Sequence, residues 1–342
     1  MTLGKMDKLI IHHVGNKNNG DGVRFSDDLT EFEDIEDYIS QLINNSFKSD
    51  ELYQFHFLPS LELNPIYQFI TDIFKRKGNF ISQSHNIARY LYDKSIHPQI
   101  KAGELCVAYF KDCQLNGEII DCVGLFKSEN KETILKISQT KIGYNLKSEE
   151  GINTNKLDKG CLIFNINEED GDIVSIVDNT NKGSEAQYWT NDFLQVKPTA
   201  NEYNQTNQFL GITKQFVTKQ LTEDFEVGKA DQIDLLNRSV DYFKTHDTFN
   251  KREFEKEVFQ DADIIKSFRK FDNHYREEND IDLTDDFEIS QEAVKKQSRA
   301  FKSVLKLDKN FHIYIHGNRE LIEQGIERDG RKYYKIYYEK EG

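Results

Sequence analysis

The spacing of hydrophobic and polar positions is most regular in the middle of the chain, between residues 103 and 137. Three apolar runs rich in Val, Ile and Phe occur there, at 105–110, 119–126 and 133–137. Asn116-Gly117 separates the first two runs, and a polar cluster at 128–131 separates the second from the third. Short apolar runs bounded by turn residues are typical of consecutive strands, so this stretch predicts an antiparallel meander.

The same kind of pattern predicts further elements. Additional strands are expected at 9–14, 161–166 and 173–177. Apolar residues three and four positions apart predict helices at 84–92 and 201–221. Segments rich in Gly and Asn predict loops at 15–22 and 147–159. The chain up to residue 221 is therefore expected to be an α+β layer, an antiparallel sheet with covering helices.

Two other helices are predicted from their start signals. Thr30 and Glu33 fit a capping box, in which a hydroxyl and a carboxylate bond the free amides at a helix start. Asn64-Pro65 predicts a helix with proline at its first position, where no amide partner is lost. That helix is expected to end in the basic segment 75–78, whose cations face the negative end of the helix dipole. The segment therefore needs no ligand to explain it.

The pattern changes after residue 221. Charged helices are predicted at 232–244, 251–259 and 263–276, and acidic residues remain frequent up to residue 288. A basic helix is then predicted at 290–307, followed by a β-hairpin at 319–338 around a primed turn at Asp329-Gly330. We predict two domains: an N-terminal α+β domain at 1–221, and a C-terminal helical segment at 222–342 that ends in the basic helix and hairpin.

Composition indicates a globular and strongly acidic protein. The chain has 342 residues, with 45 Lys and Arg against 59 Asp and Glu, and a formal charge of −14. Aromatic residues make up 12% of it, so a large core is expected although hydrophobic residues reach only 37%. No apolar run approaches the roughly 18 residues that span a bilayer, and the N-terminal segment lacks secretory features. We expect a cytoplasmic protein with no membrane contact.

The cysteines do not predict a metal site, because a zinc site needs closely spaced pairs of ligands. No Cys-x-x-Cys pair occurs among the four cysteines, which are Cys106, Cys113, Cys122 and Cys161. The expected state is reduced thiols in the core. Nucleotide-binding and nucleophile-elbow motifs are also missing from the sequence, so no cofactor is expected.

The histidine pairs fail as metal ligands for geometric reasons. His12 and His13 are adjacent on a predicted strand and therefore point to opposite faces. His312 and His316 share a face, but four strand residues separate their side chains by roughly 13 Å. Neither pair can hold one ion between its two rings.

Several segments together resemble one known family. The most specific sequence matches are Gly103-Glu104-Leu105 and the residues from Asp121 to Lys131. Further segments that match the family's sequences lie at 9–15, 88–92, 97–101, 158–164, 185–189 and 311–315. With these segments spread along most of its length, the chain resembles the bacterial nucleoid-associated protein family known as NdpA, or YejK-like. The resemblance implies DNA binding in the nucleoid, with topoisomerases or other nucleoid proteins as partners, and it implies no catalytic residues.

Duplex DNA is bound through its phosphates, so a chain of charge −14 needs a local cluster of cations. Residues 295–342 contain twelve Lys and Arg and seven Asp and Glu, a local balance of +5. Lys295, Arg299, Lys302 and Lys306 recur at a spacing that places them on one stripe of the predicted helix. Other cations would extend this predicted DNA-binding patch if the hairpin packs alongside: Lys296, Lys309, Arg319, Arg331 and Lys332.

Alternatives to DNA binding by this patch stay open. A solvated face of an amphipathic helix would carry the same basic stripe. A metal-dependent nuclease would need carboxylates and a lysine to converge, and Glu104, Asp121, Glu132 and Lys136 are the candidates. A protein-interaction scaffold would use the acidic residues of 222–290. We expect a non-enzymatic protein that binds double-stranded DNA with low sequence specificity, with RNA as a second nucleic acid and a homodimer as further open alternatives.

Overall fold

The chain forms two compact units. The computed structural model describes residues 1–47, 51–166, 168–180, 188–299, 301, 304–315 and 319–340. Unit 1 is Met1–Thr199 and unit 2 is Ala200–Gly342. The helix at 202–215 therefore belongs to unit 2, while the domain boundary expected after residue 221 stays a prediction.

Unit 1 is built on an eight-stranded antiparallel sheet in the order β10-β3-β9-β8-β5-β4-β1-β2. The strands of unit 1 are β1 (Lys5–Val14), β2 (Val23–Arg24), β3 (Leu52–Phe55), β4 (Gly103–Leu115), β5 (Glu118–Ser128), β6 (Glu132–Thr140), β7 (Gly143–Gly151), β8 (Lys159–Phe164), β9 (Ile173–Asp178) and β10 (Val196–Pro198). Its α-helices are α1 (Glu36–Ser46), α2 (Pro65–Lys75) and α3 (Phe80–Lys94). The predicted antiparallel sheet with covering helices is confirmed.

Both faces of this sheet are covered, as the alternation along β4 requires. Val107 and Tyr109 join a core formed with α2, α3 and the π-helical turn Tyr188–Leu194. Ala108 and Phe110 point to the opposite face, where a second core includes α1. A sheet buried on both sides explains why its central strands are apolar at successive positions.

Of the two predicted helix starts in unit 1, one is confirmed and one is wrong. The side chain of Asn64 accepts the amide of Tyr67 at 3.1 Å, and α2 begins at Pro65. At the other site α1 begins only at Glu36, without a side-chain cap. The amide of Thr30 instead donates to the carbonyl of Leu9 at 2.8 Å. This segment is therefore held beside β1, and the capping box does not form.

The predicted meander is correct for two strands and wrong for the third. β4 and β5 pair across Asn116-Gly117, where both residues have positive φ, +52° and +87°, as a primed turn requires. β8 pairs with β5 on its other side, so β6 leaves the sheet and forms a separate hairpin with β7. β8 is buried along its whole length and apolar after Lys159, which suits a central strand better than the mixed sequence of β6. The loop predicted at 147–159 begins within β7.

Unit 2 is mainly helical and has an aromatic core. Its α-helices are α4 (Glu202–Gln215), α5 (Leu221–Asp224), α6 (Lys229–Thr245), α7 (Lys251–Phe254), α8 (Ala262–Glu278) and α9 (Gln291–Ser298). Its strands are β11 (Thr248–Asn250), β12 (Asp286–Glu288), β13 (Val304–Leu307), β14 (Phe311–Tyr314), β15 (Ile322–Ile326) and β16 (Lys332–Ile336). Phe209 lies at the centre, and its ring centroid is 4.2 Å from that of Phe249 and 5.0 Å from that of Phe254. The charged helices predicted after residue 221 are present, and among the described residues no helix is long and apolar enough to cross a membrane.

Candidate nucleic-acid interface

The predicted basic helix is half as long as expected. α9 starts where the hydroxyl of Ser290 accepts the amide of Ala293 at 3.3 Å, and it ends at Ser298. Ala293 and Val294 are buried, which turns Lys295 and Lys296 outward. Arg299, directly after the helix, is also exposed. α9 and the residue directly after it therefore present these three cations to solvent.

Lys306 does not continue this helical stripe, so that part of the prediction is wrong. It lies on β13, directly opposite His312 of β14, and both residues are exposed. The neighbouring Leu305 is buried, as strand alternation requires. Asp308, at φ +52°, and Lys309 form the turn that joins the two strands. This Asp turn between alternating apolar residues is the sequence signal that the helix prediction missed.

Some predicted residues lie outside the described part of the chain. Lys302 is one of them, as are His316 and residues 185–187 of the family-like segment. Arg319 starts the 3-10 turn Arg319–Leu321, but its side chain is not among those described. The geometry of the predicted patch therefore concerns the other cations.

The second hairpin, β15–β16, brings Arg331 and Lys332 to the surface. The amide of Gly330 donates to the carbonyl of Glu327 at 2.9 Å, and the amide of Glu327 donates to the carbonyl of Arg331 at 2.8 Å. Gly330 is the only residue of this turn with positive φ, at +86°. The hairpin is confirmed, but its turn is the longer form that ends in a left-handed glycine, and the predicted primed turn is wrong.

α6 supports all three cation-bearing elements. Leu305, Ile315 and Ile322 form a small core with Ala230 and Ile233, which lie on α6. α9 also packs on α6, and on α4. The two hairpins and α9 are thus attached to one helix within the same compact unit.

The cations of the patch differ in their electrostatic surroundings. Five of them are exposed and form no ion pair with a described side chain: Lys295, Arg299, Lys306, Lys309 and Lys332. Arg331 is paired, with its Nε 2.7 Å from Oδ2 of Asp329. Lys296 is placed with its Nζ 5.5 Å from the ring centroid of Tyr203, a cation–π distance. The unpaired cations are those available to an external anion.

The most buried acidic residues of unit 2 are neutralised by cations outside the patch. The buried Asp272 lies 2.6 Å from Nζ of Lys251 and 2.7 Å from Nε of Arg276. The buried Glu255 is held by the guanidinium of Arg269 at 2.6 Å. No described ion pair joins the predicted patch to these carboxylates. The patch is therefore not masked by them.

The carboxylates and the lysine of the nuclease alternative do not converge in the described structure. Glu104 pairs with Lys131 at 3.0 Å, and Asp121 pairs with Lys77 at 2.9 Å. Two further contacts occupy the remaining candidates, Lys136 to Glu149 at 3.2 Å and Glu132 to Asn153 at 2.6 Å. Each candidate thus has its own separate partner, and no shared catalytic centre forms from the four.

One group of three described residues could hold a metal ion, and the sequence analysis missed it. Ligand atoms of His246, Glu253 and Glu257 lie within 4.8 Å of one another, and the group is at the surface. Nδ1 of His246 lies 2.9 Å from the carbonyl oxygen of Tyr242, which only accepts, so Nδ1 carries the proton of the neutral ring. Nε2 then offers a lone pair beside the two carboxylates. His246 directly follows α6, and the two glutamates lie seven and eleven residues later, on α7 and on the π-helical turn Glu255–Phe259 that continues it, a spacing that matches no short motif.

Comparison with known proteins assigns the chain to a family. The family model described as nucleoid-associated protein YejK matches residues 10–332. The chain therefore belongs to this nucleoid-associated family, and the resemblance found in the sequence is confirmed. Comparisons with curated proteins and with solved structures found no match.

Proposed function

We propose that this member of the nucleoid-associated family binds duplex DNA directly, with low sequence specificity, through phosphate contacts of unit 2. The observation that supports this proposal is a set of exposed cations that form no ion pair with a described side chain, on α9, directly after it and on the β13–β14 hairpin: Lys295, Arg299, Lys306 and Lys309. Contacts of Lys and Arg with phosphates supply essentially all of non-specific DNA binding. Such contacts carry no base information, so low specificity follows. We place the protein in the nucleoid of the cytoplasm, acting by binding and without catalysis.

The other predicted residues differ in how freely their side chains can reach a phosphate. Lys332 is exposed on β16 and extends the patch toward the second hairpin. Arg331 must leave Asp329 to reach a phosphate, and Lys296 must leave the ring of Tyr203, so each loses an existing contact on binding. Lys302 and Arg319 are included in the proposed patch because they lie close in the sequence to its other cations; their side chains are outside the described structure. RNA has the same phosphates, and competition between the two nucleic acids will rank them.

The decisive experiment is a fluorescence anisotropy titration of a labelled duplex with the full chain over a salt series. The test variant replaces Lys295, Arg299, Lys306 and Lys309 with Glu. A matched control replaces four exposed cations of unit 1 with Glu, and these are Lys5, Arg24, Lys101 and Lys156. Both variants have the same net charge, so a difference between them isolates the local field at the patch.

We expect the logarithm of the wild-type binding constant to fall with the logarithm of salt concentration at a slope of about −5, for five or six phosphate contacts. The patch variant should lose binding and the control should keep most of it. Equal loss in the two variants would refute the patch as the site. A folded wild-type protein that does not bind even at low salt would refute direct DNA binding.

A second candidate function is a scaffold for DNA-bound partners such as a topoisomerase. The supporting observation is the exposed carboxylates between α8 and α9, among them Asp282, Asp286 and Glu288, which could meet a basic partner. The same titration separates the two functions, because a scaffold needs no affinity of its own for DNA.

A further inference from the structure

Three side chains of unit 2 converge at the surface beside the end of α6. His246 directly follows that helix, and its amide donates to the carbonyl of Tyr242 at 3.1 Å. Glu253 lies on α7, and Glu257 lies on the π-helical turn Glu255–Phe259 that continues it. Ligand atoms of these three residues lie within 4.8 Å of one another. We call the three residues the His246 cluster.

The fold holds the backbone of both glutamates in place. The amide of Glu253 donates to Oδ1 of Asn250 at 3.0 Å, in the cap that starts α7. Phe254 and Val258, each directly after a glutamate of the cluster, are buried in the aromatic core of unit 2. The two glutamates are therefore turned to the surface, and both are exposed. The His246 cluster is built on segments that the core anchors.

His246 offers its ring nitrogen Nε2 to the cluster. The other nitrogen, Nδ1, lies 2.9 Å from the carbonyl oxygen of Tyr242, which only accepts, so Nδ1 carries the proton of the neutral ring. The two rings are also stacked, with centroids 4.1 Å apart and planes at 17°. A carbonyl that binds one nitrogen of a histidine in this way orients the other nitrogen toward a metal ion. Nε2 lies 4.0 Å from Oε2 of Glu257, too far for a hydrogen bond.

The two glutamates need a cation between them. Residues four positions apart are neighbours on a helix, and like charges at that spacing destabilise it. Among the ion pairs of the described residues, Glu257 has His246 as its only partner, and Glu253 has none. The hydroxyl of Tyr242 donates to Oε2 of Glu253 at 3.2 Å, which orients this carboxylate without neutralising it.

We propose that the His246 cluster binds one divalent transition-metal ion of the Zn²⁺ class. Zn²⁺ takes histidine nitrogen together with carboxylate oxygen, whereas Mg²⁺ and Ca²⁺ prefer oxygen ligands alone. Three protein ligands leave the fourth position of a tetrahedral ion to water. The proposal does not depend on the proposed binding of DNA.

The observed distances suit an unfilled site that closes on its ion. Ligand atoms at about 2.0–2.1 Å from one Zn²⁺ lie roughly 3.3 Å apart at tetrahedral angles. Nε2 of His246 and Oε2 of Glu257 must therefore approach by less than about 1 Å from their separation of 4.0 Å. The side chain of Glu257 is 51% exposed, so a rotation about its own bonds provides this movement without disturbing the core.

The bound ion would connect the end of α6 to the segment that contains α7. α6 is also the helix on which Leu305, Ile315 and Ile322 of the C-terminal hairpin region pack. An ion that binds the folded state and not the unfolded chain stabilises the fold by mass action. Zn²⁺ should therefore raise the thermal unfolding midpoint of unit 2.

A second histidine–glutamate pair in unit 2 provides an internal control. Nε2 of His274 lies 3.3 Å from Oε1 of Glu278 on α8, and these side chains are 69 and 62% exposed. This pair is closer together than His246 and Glu257. Within the described residues, however, the His246 cluster is the only group of three His, Cys or acidic residues with ligand atoms this close. His274 thus tests whether an exposed histidine beside one carboxylate is sufficient.

The test is isothermal titration calorimetry of the full chain with ZnCl₂, after dialysis against EDTA and then against metal-free buffer. The test variants are His246→Gln and Glu257→Gln, each of which removes one ligand at the surface. The matched control is His274→Gln. Circular dichroism without metal will show that all three variants are folded, and thermal melts with and without Zn²⁺ give a second readout.

We expect the wild type and His274→Gln to bind one Zn²⁺ with similar dissociation constants. Each test variant should bind at least about tenfold more weakly, and Zn²⁺ should raise its melting midpoint less. Unchanged binding by either test variant would overturn the proposal. Equal weakening in His246→Gln and His274→Gln would do the same, because it indicates adventitious binding to surface histidines. A folded wild type that binds no Zn²⁺ up to roughly millimolar concentration would also overturn it.

Discussion

Nζ of Lys127 lies 3.1 Å from Oε1 of Glu129, and these two side chains are 0 and 4% exposed. The second carboxylate oxygen of Glu129 lies 3.1 Å from Nζ of Lys159, which is also buried. The hydroxyl of Tyr188 donates to the same carboxylate at 3.2 Å. Desolvation lowers the pKa of Lys127 although Glu129 opposes that shift. Glu129 thus contacts two buried ammonium groups, at the end of β5 and the start of β8, and Oδ1 of Asp178 lies 3.5 Å from the second of them, Nζ of Lys159.

Glu129→Gln should destabilise unit 1 severely, because it leaves Lys127 and Lys159 buried with less compensation. Removing one partner of a buried ion pair costs about 3–5 kcal/mol. Urea unfolding can be followed through Trp189, the single tryptophan, which is buried in the core of unit 1. Glu132→Gln is the control, since that residue is exposed, and its cost should stay within about 0.5 kcal/mol. Similar unfolding midpoints for the two variants would refute this account of Glu129.

Asp172→Asn should stabilise unit 1 near pH 8 and change little near pH 4. Burial, with the charge of Glu168 adding to it, raises the pKa of Asp172 to about 7 from its ordinary value of 3.8. The native state therefore keeps a proton that the unfolded state releases, and stability falls as pH rises from about 4 to 7. Above that range the cost is about 4 kcal/mol, and asparagine removes it while tolerating the φ of +46°.

The control for this change is Asp112→Asn, at an exposed residue that also has a left-handed backbone, with φ +56°. It should leave the pH dependence of unfolding unchanged. If both asparagine variants gain the same stability at both pH values, the cause is the backbone conformation and not the buried charge.

His12 should make unit 1 less stable as the pH falls. Nδ1 of its ring accepts the amide of Ser26 at 3.1 Å, and Nε2 lies 2.8 Å from the hydroxyl of Ser84, so the buried ring is neutral. Burial, with His85 adding to it, lowers the pKa of His12 to about 4 from 6.5. The unfolded state therefore binds a proton first, and up to about 3 kcal/mol of stability is lost between about pH 6.5 and 4.

The effect of His12 is best measured in the Asp172→Asn variant, whose free energy of unfolding is determined at several pH values. Asp172 itself lowers stability as the pH rises, which would otherwise offset the effect of His12. Adding His12→Gln should flatten the remaining pH dependence below 6.5. His13→Gln should not, since His13 lies partly exposed beside Glu104. A slope that survives the His12 substitution would assign the pH dependence to other groups.

Single substitutions in the proposed DNA-binding patch should change the salt dependence of binding in steps. Each of Lys295→Gln, Arg299→Gln, Lys306→Gln and Lys309→Gln removes one phosphate contact, so the magnitude of the salt slope should fall by about 0.9 for each. Anisotropy titrations at several salt concentrations measure the slope. Lys156→Gln, at an exposed lysine of unit 1, should leave it unchanged. A position whose substitution leaves the slope at its wild-type value does not contact a phosphate.

Local signals in the sequence were reliable where few residues decide the outcome. Asn64-Pro65 starts α2, and Asn116-Gly117 joins β4 to β5, because capping and tight-turn geometry depend on neighbouring atoms. The Thr30 box failed for a tertiary reason, since its segment is bonded to β1. The exposure of Lys295 and Lys296 also follows from local periodicity on α9.

The sequence by itself determined the family, the succession of short strands and charged helices, and the surplus of cations after residue 295, because each depends on composition or local periodicity. Only the tertiary structure decided that β8 and not β6 lies beside β5, and that Lys306 belongs to a strand opposite His312. Several apolar runs of similar length could each occupy the buried position beside β5. The pattern within one run does not show which of the other runs packs there better. β6 and β7 therefore form a hairpin outside the sheet, and the apolar side chains of Leu135, Ile137 and Leu146 stay exposed.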